Sequence, residues 1–193
     1  MNSVLQGIAL RWCGSDHTPV GPNLFGRHAR YRVSHPLAHG HTDMSRDALR
    51  RGRYSAPGQL YHVTICTKNR QPLFSDPACA RLVIGQMRVL NDAAWVSTLA
   101  WVLLMPDHLH WLFELGERRS LDQVLKCFKG RSGQLLSRAL QRPGSVWQPG
   151  YHDHALRYEE DVQAIARYIV ANPLRARLVE RIGDYPWWDA VWL

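Results

Sequence analysis

Cysteine is scarce and scattered in this chain: Cys13, Cys66, Cys79 and Cys127 lie far apart in 193 residues and form no C-x-x-C pair. That spacing excludes a zinc knuckle, offers no disulfide framework and fits a reducing cytoplasm. Long apolar runs are missing too. The longest, Leu99 to Met105, is far short of the ~20 residues that cross a bilayer, and the first residues lack the basic, apolar and small-residue zones of a signal peptide. Acidic residues are the minority, 16 Asp and Glu against 24 Lys and Arg, for a net charge of +8. The excess makes an anionic partner plausible, nucleic acid or a membrane surface being the obvious candidates.

What is present suffices for one core, since 46% of the residues are hydrophobic. Residues 1–43 stand apart: they carry Gly, Pro and five of the ten histidines with no sustained period. They are expected to be a disordered or non-native N-terminal extension, with Met44 as the start of a single domain over 44–193.

From Gln59 the pattern turns regular. Tyr61, Val63 and Ile65 alternate with His62, Thr64 and Cys66, which predicts a half-buried strand. Asp76-Pro77 opens a helix that Leu82, Val83, Met87 and Leu90 carry to about Ala93. A strand from about Ser97 to Met105 then turns at Pro106-Asp107 into a third strand, His108 to Leu115. Ser120 with Gln123 resembles a capping box, and Leu121, Val124, Leu125 and Phe128 give the apolar face of a second helix that Gly130 and Gly133 are expected to bend or divide. Val146 to Arg157 reads as mostly extended, with a turn at Pro149-Gly150. A last helix starts among Glu159, Glu160 and Asp161 and is expected to run to Asn172 before Pro173. The order βαββαβ plus a terminal helix predicts an α+β, ferredoxin-like split βαβ fold with the first and third strands as central neighbours.

Three His-x-His matches occur. His39-Gly40-His41 falls in the irregular N-terminal region, and the Asp153 between His152 and His154 would face the core if both imidazoles faced outward. His108-Leu109-His110 has an apolar separator: alternation puts both imidazoles on one face while Leu109 anchors the strand, a rigid platform for two metal ligands. The plain alternative is two ordinary strand histidines. The last helix adds weight, because Tyr168 and Asn172 lie one turn apart beside its buried face of Val162, Ile165, Ala166 and Ile169. A phenol and a carboxamide there offer a nucleophile and a neutral oxygen ligand. Alone, Tyr168 reads as a core-edge tyrosine and Asn172 as a helix C-terminal residue.

Met105-Pro106-Asp107-His108-Leu109-His110, Val146-Trp147-Gln148, Asp153-His154-Ala155-Leu156-Arg157 and Tyr168-Ile169-Val170-Ala171-Asn172-Pro173, with Tyr61-His62-Val63-Thr64 and Asn69-Arg70, resemble the REP-associated tyrosine transposases, a branch of the single-tyrosine HUH transposases. The likeness covers about Met44 to Trp188. It implies a metal-dependent endonuclease and strand transferase acting on single-stranded DNA with hairpin-forming palindromic repeats, through a covalent 5′-phosphotyrosine intermediate. It also implies a monomer or homodimer in a bacterial cytoplasm, at the nucleoid. By position Tyr168 matches the catalytic tyrosine, and His108, His110 and Asn172 match the residues around a divalent Mg2+ or Mn2+ ion. Tyr151 reads as a packing residue.

His62 is a candidate beside the pair, against the alternative of a surface-strand histidine. Lys126, Lys129 and Arg131 are candidates for DNA phosphates, against a solvated helix face. The Trp-rich tail, Tyr185 to Trp192, either stacks on bases or caps the core. Two further readings stay open: a non-catalytic single-stranded nucleic-acid-binding module, and a metal-dependent hydrolase that uses water and leaves no protein adduct.

Overall fold

A computed structural model describes residues 55–104 and 106–192; the expected extension over 1–43 and the Met44 start lie outside them. Five antiparallel strands form one sheet: β1 (Leu60–Cys66), β2 (Val96–Leu104), β3 (His108–Leu115), β4 (His152–Ala155) and β5 (Trp188–Ala190), in the order β4-β1-β3-β2-β5. The helices are α1 (Pro77–Asp92), α2 (Leu121–Ala139), α3 (Val162–Val170) and a short α4 (Asn172–Arg175). Through β4 this is the expected split βαβ arrangement, with β1 and β3 at its centre.

Local chemistry explains the helix starts. The Asp76 carboxylate accepts from Ala78 N ahead of Pro77, and Ser120 and Gln123 close a full capping box on α2. Asp161 accepts from Gln163 N and Ala164 N to start α3. Contrary to expectation, α2 runs unbroken through Gly130 and Gly133. Gly133 keeps the helix and makes room: a Cβ there would stand 3.4 Å from the indole of Trp147. The last helix also stops earlier than expected, at Val170, and Pro173 begins the next helix instead of following it. Proline suits that place because the first helical N–H groups have no intrahelical partner. Of the stretch expected to be extended, only His152–Ala155 forms a strand.

Each sheet face carries its own core. On one side Tyr61, Val63, Ile65, Leu109, Trp111 and Phe113 pack against α1 and α2. On the other, Leu112 meets Ala166, Ile169 and Val170 of α3. A bulge between Thr98 and Ala100 reverses the alternation of β2, so Val96 and Trp101 reach the first core while Leu99 and Ala100 reach the second. The tail closes this second layer. β5 pairs with β2, Trp187, Trp188 and Trp192 pack against the α3 cluster, and Trp188 Nε1 donates to the Ile182 carbonyl. Among the described residues no helix is long and apolar enough to cross a membrane.

Candidate metal and nucleophile site

His108 and His110 point from β3 to the face that carries α3, as the Leu109 separator requires: Leu109 is fully buried in the opposite core, and Leu112, next in the histidine row, packs under α3. Their rings meet edge to face with centroids 5.0 Å apart. The β1–β3 register sets Thr64 opposite His110 and brings His62 beside it. His62 Nε2 lies 3.2 Å and Thr64 Oγ1 3.0 Å from His110 Nδ1.

These contacts choose the free nitrogens. His108 Nδ1 donates at 2.6 Å to Asp107, a carboxylate that can only accept, so the proton sits on Nδ1. Arg70 holds the same carboxylate at 3.4 Å. In His110 the protein contacts also run through Nδ1. Both rings are thereby oriented by their Nδ1 atoms, the way metal-binding imidazoles are held, and in His108 this leaves the lone pair on Nε2. Burial, then the nearby His108, His62, Arg175 and Arg70, lower the His110 imidazole to about 3. Burial and then His154 lower His62 to about 4. Both rings are therefore neutral at pH 7, the state a cation requires.

The donor chemistry fits a divalent ion incompletely filled by protein. Two imidazole nitrogens suit manganese, cobalt or zinc by intrinsic affinity, and an open site completed by phosphate and water also accepts magnesium. Among the described residues no three His, Cys, Asp or Glu side chains gather as a cation site.

Tyr168 stands on α3, on the histidine side of the sheet, with its side chain exposed beside the buried Ile169. Its ring lies under the guanidinium of Arg175, whose Cζ is 3.7 Å from the ring centroid. Asn172, at the α3–α4 break, donates from Nδ2 to the Ile169 carbonyl at 2.9 Å and accepts from Arg175 Nη2 at 2.5 Å. Tyr168, Asn172 and Arg175 thus form one unit, and the charge of Arg175 reaches His110. Tyr151 lies elsewhere: it packs against the α1–α2 core, and its hydroxyl donates to Asp122.

The basic candidates separate. Lys126 and Arg131 are exposed on α2. The Lys129 ammonium instead clamps the following loop, donating to the carbonyls of Gln148 at 2.7 Å and Gly150 at 2.5 Å, and burial lowers its pKa. Arg175, Thr64 and the Asp107 carboxylate carry no local sequence signal that marks them as site residues. His152 and His154 pair opposite Thr64 and His62 and extend the histidine face across β4. There Asp153 needs no core, because every residue of this edge strand is exposed. The signal was the shared alternation of β1 and β4, visible only once their register is known.

Comparisons agree with this architecture. The chain is 26% identical over 136 residues to a REP-associated tyrosine transposase of Escherichia coli (strain K12), covering 69% of this chain and 78% of that protein. It is 24% identical over 102 residues to a putative REP-associated tyrosine transposase of Haemophilus influenzae, 45% of this chain and 54% of the other. The fold matches a solved structure of a REP-associated tyrosine transposase bound to a REP hairpin, with a TM-score of 0.59 and 22% identity over 71% of this chain and 79% of that one. The family model described as "Transposase IS200 like" matches residues 56–172, more than half of the sequence and every element from β1 through α3, so the chain belongs to the IS200-like transposases.

Proposed function

We propose that this chain is a metal-dependent single-stranded DNA endonuclease and strand transferase that acts at hairpin-forming repeats through Tyr168. The observation that carries the reading is the shared face: His108 and His110 are oriented through Nδ1 on the side of the sheet where α3 holds an exposed phenol. His108, His110 and Asn172 would hold a Mg2+ or Mn2+ ion, which would supply Lewis acidity at the phosphate oxygens for attack by the Tyr168 phenol.

Tyr168 Oη attacks the phosphorus of the scissile diester and gives up its proton. The P–O3′ bond breaks, the 3′ oxygen takes a proton and leaves as a hydroxyl, and the phosphate stays on the tyrosine as a 5′-phosphotyrosine. Attack by another 3′-hydroxyl reverses the step and joins new ends. Asp107 and Thr64 keep the imidazoles aimed, and His62 supports His110 from β1. Lys126 and Arg131 are exposed on α2, on the sheet face opposite the histidines, so phosphates that they meet would lie away from the scissile one. The hairpin substrate is inferred from the E. coli relative and the hairpin-bound neighbour.

A stacking module of the RNA-recognition kind is less well supported, because α3 and the tail cover the sheet where bases would lie. The test incubates the protein with a labelled DNA hairpin bearing a single-stranded flank, with Mn2+ or with a chelator. A denaturation-resistant adduct is expected with Mn2+, and none with chelator or with Tyr168→Phe. An adduct formed equally by the phenylalanine variant means another nucleophile, and cleavage without an adduct means hydrolysis by water.

A further inference from the structure

Arg175 joins the two halves of the site. Its guanidinium covers the ring of Tyr168 and donates to Asn172 Oδ1. That oxygen is the atom through which Asn172 would meet a cation, since Nδ2 is committed to the Ile169 carbonyl. A guanidinium has only donors and a permanent charge, so an oxygen accepting from it has one of its two lone pairs engaged and a positive charge beside it that repels a cation. Arg175 is exposed, so the contact is open to competition. A phosphate wins that competition over a neutral carboxamide, because it takes charge-assisted hydrogen bonds in pairs.

Resting on the function proposed above, we infer that Arg175 is a positioning residue that latches the Asn172 oxygen away from the cation until a DNA phosphate draws the guanidinium off. Metal binding is then coupled to substrate: the movement that frees Oδ1 also lifts the guanidinium from the face of the Tyr168 ring.

The experiment measures Mn2+ binding to the full chain without DNA, by the resonance of the free ion, in a double-mutant cycle of Arg175→Ala and Asn172→Ala. Arg175→Ala is expected to tighten Mn2+ binding about threefold or more, and the gain is expected to shrink in the Asn172→Ala background. An equal gain in both backgrounds reduces Arg175 to a repelling charge and overturns the latch, as does no gain at all. In a second arm, a saturating short oligothymidylate added to Tyr168→Phe protein is expected to tighten Mn2+ binding more when Arg175 is present than in Arg175→Ala, because phosphate adds its own ligand to the ion in both. Equal tightening in the two, or none, overturns the phosphate trigger. Adduct formation with no coupling in the cycle counts against the latch alone; coupling without any adduct on hairpin DNA counts against the transposase reading alone.

Discussion

His110 sits among His62, His108 and Thr64, and burial is what sets its charge. With His110 lowered to about 3 and His62 to about 4, the unfolded chain, whose histidines titrate near 6.5, binds more protons than the folded one below that pH. Stability is therefore fully present above about pH 6.5 and falls as the pH drops toward 4. Each ring contributes on the order of 2 kcal/mol of that loss by pH 4.5. Urea unfolding across this range should show the decline in the native protein and a shallower one in His62→Gln; identical slopes would mean that His62 titrates normally in the folded state. At this scale His108, His110 and Tyr168 were legible, because strand alternation and helix spacing are local. Arg175 was not, since its partners are defined by the break between α3 and α4.

At the scale of elements, close approach decides what composition leaves open. Glycine in α2 suggested a division, yet the helix is continuous, with Val124, Phe128 and Leu136 buried along it and a capping box at its start. Ser120→Ala should cost about 1 kcal/mol by thermal or urea unfolding, the ordinary worth of such a cap. Gly116 is the glycine that geometry demands. It leaves β3 against the turn that ends α1, where a Cβ would lie 2.4 Å from the Ala94 carbonyl oxygen and 3.0 Å from that of Trp95. Backbone cannot yield cheaply, so Gly116→Ala should destabilise by about 2–3 kcal/mol, whereas Gly130→Ala, open on α2, should be neutral or stabilising by up to ~1 kcal/mol. Equal midpoints for the two variants would contradict the close approach. The helix starts were readable because caps act within four residues. The early end of α3 was not, because Pro173 suits both the residue after a helix and the first turn of the next.

At the scale of the molecule, the tail is part of the sheet. β5 extends the edge of β2, and Trp187, Trp188 and Trp192 of the tail pack against the cluster beneath α3. A chain ending at Tyr185 should lose at least about 3 kcal/mol and unfold with a smaller urea dependence, since it buries less apolar surface. It should also associate, because the bared β2 edge offers unpaired backbone groups. An unchanged midpoint with no association would show that the tail adds nothing to the core. The same covering layer fills the part of the sheet beside Leu112, and His108 and His110 lie outside its cluster.

What the sequence by itself determined was what short-range physics controls. Alternation selected the strand face of His108 and His110, the 3.6 period placed Tyr168 beside a buried stripe, and the element order specified the split βαβ sheet. Tertiary structure decided what depends on register and contact across the chain. Pairing of β1 with β3 and β4 assembled histidines distant in sequence on one face, burial fixed the charge of His62 and His110, and the α3–α4 break brought Arg175 onto Tyr168 and Asn172. The division has one cause: side-chain direction follows from neighbouring backbone angles, whereas desolvation and partnership follow only from which segments come to lie together.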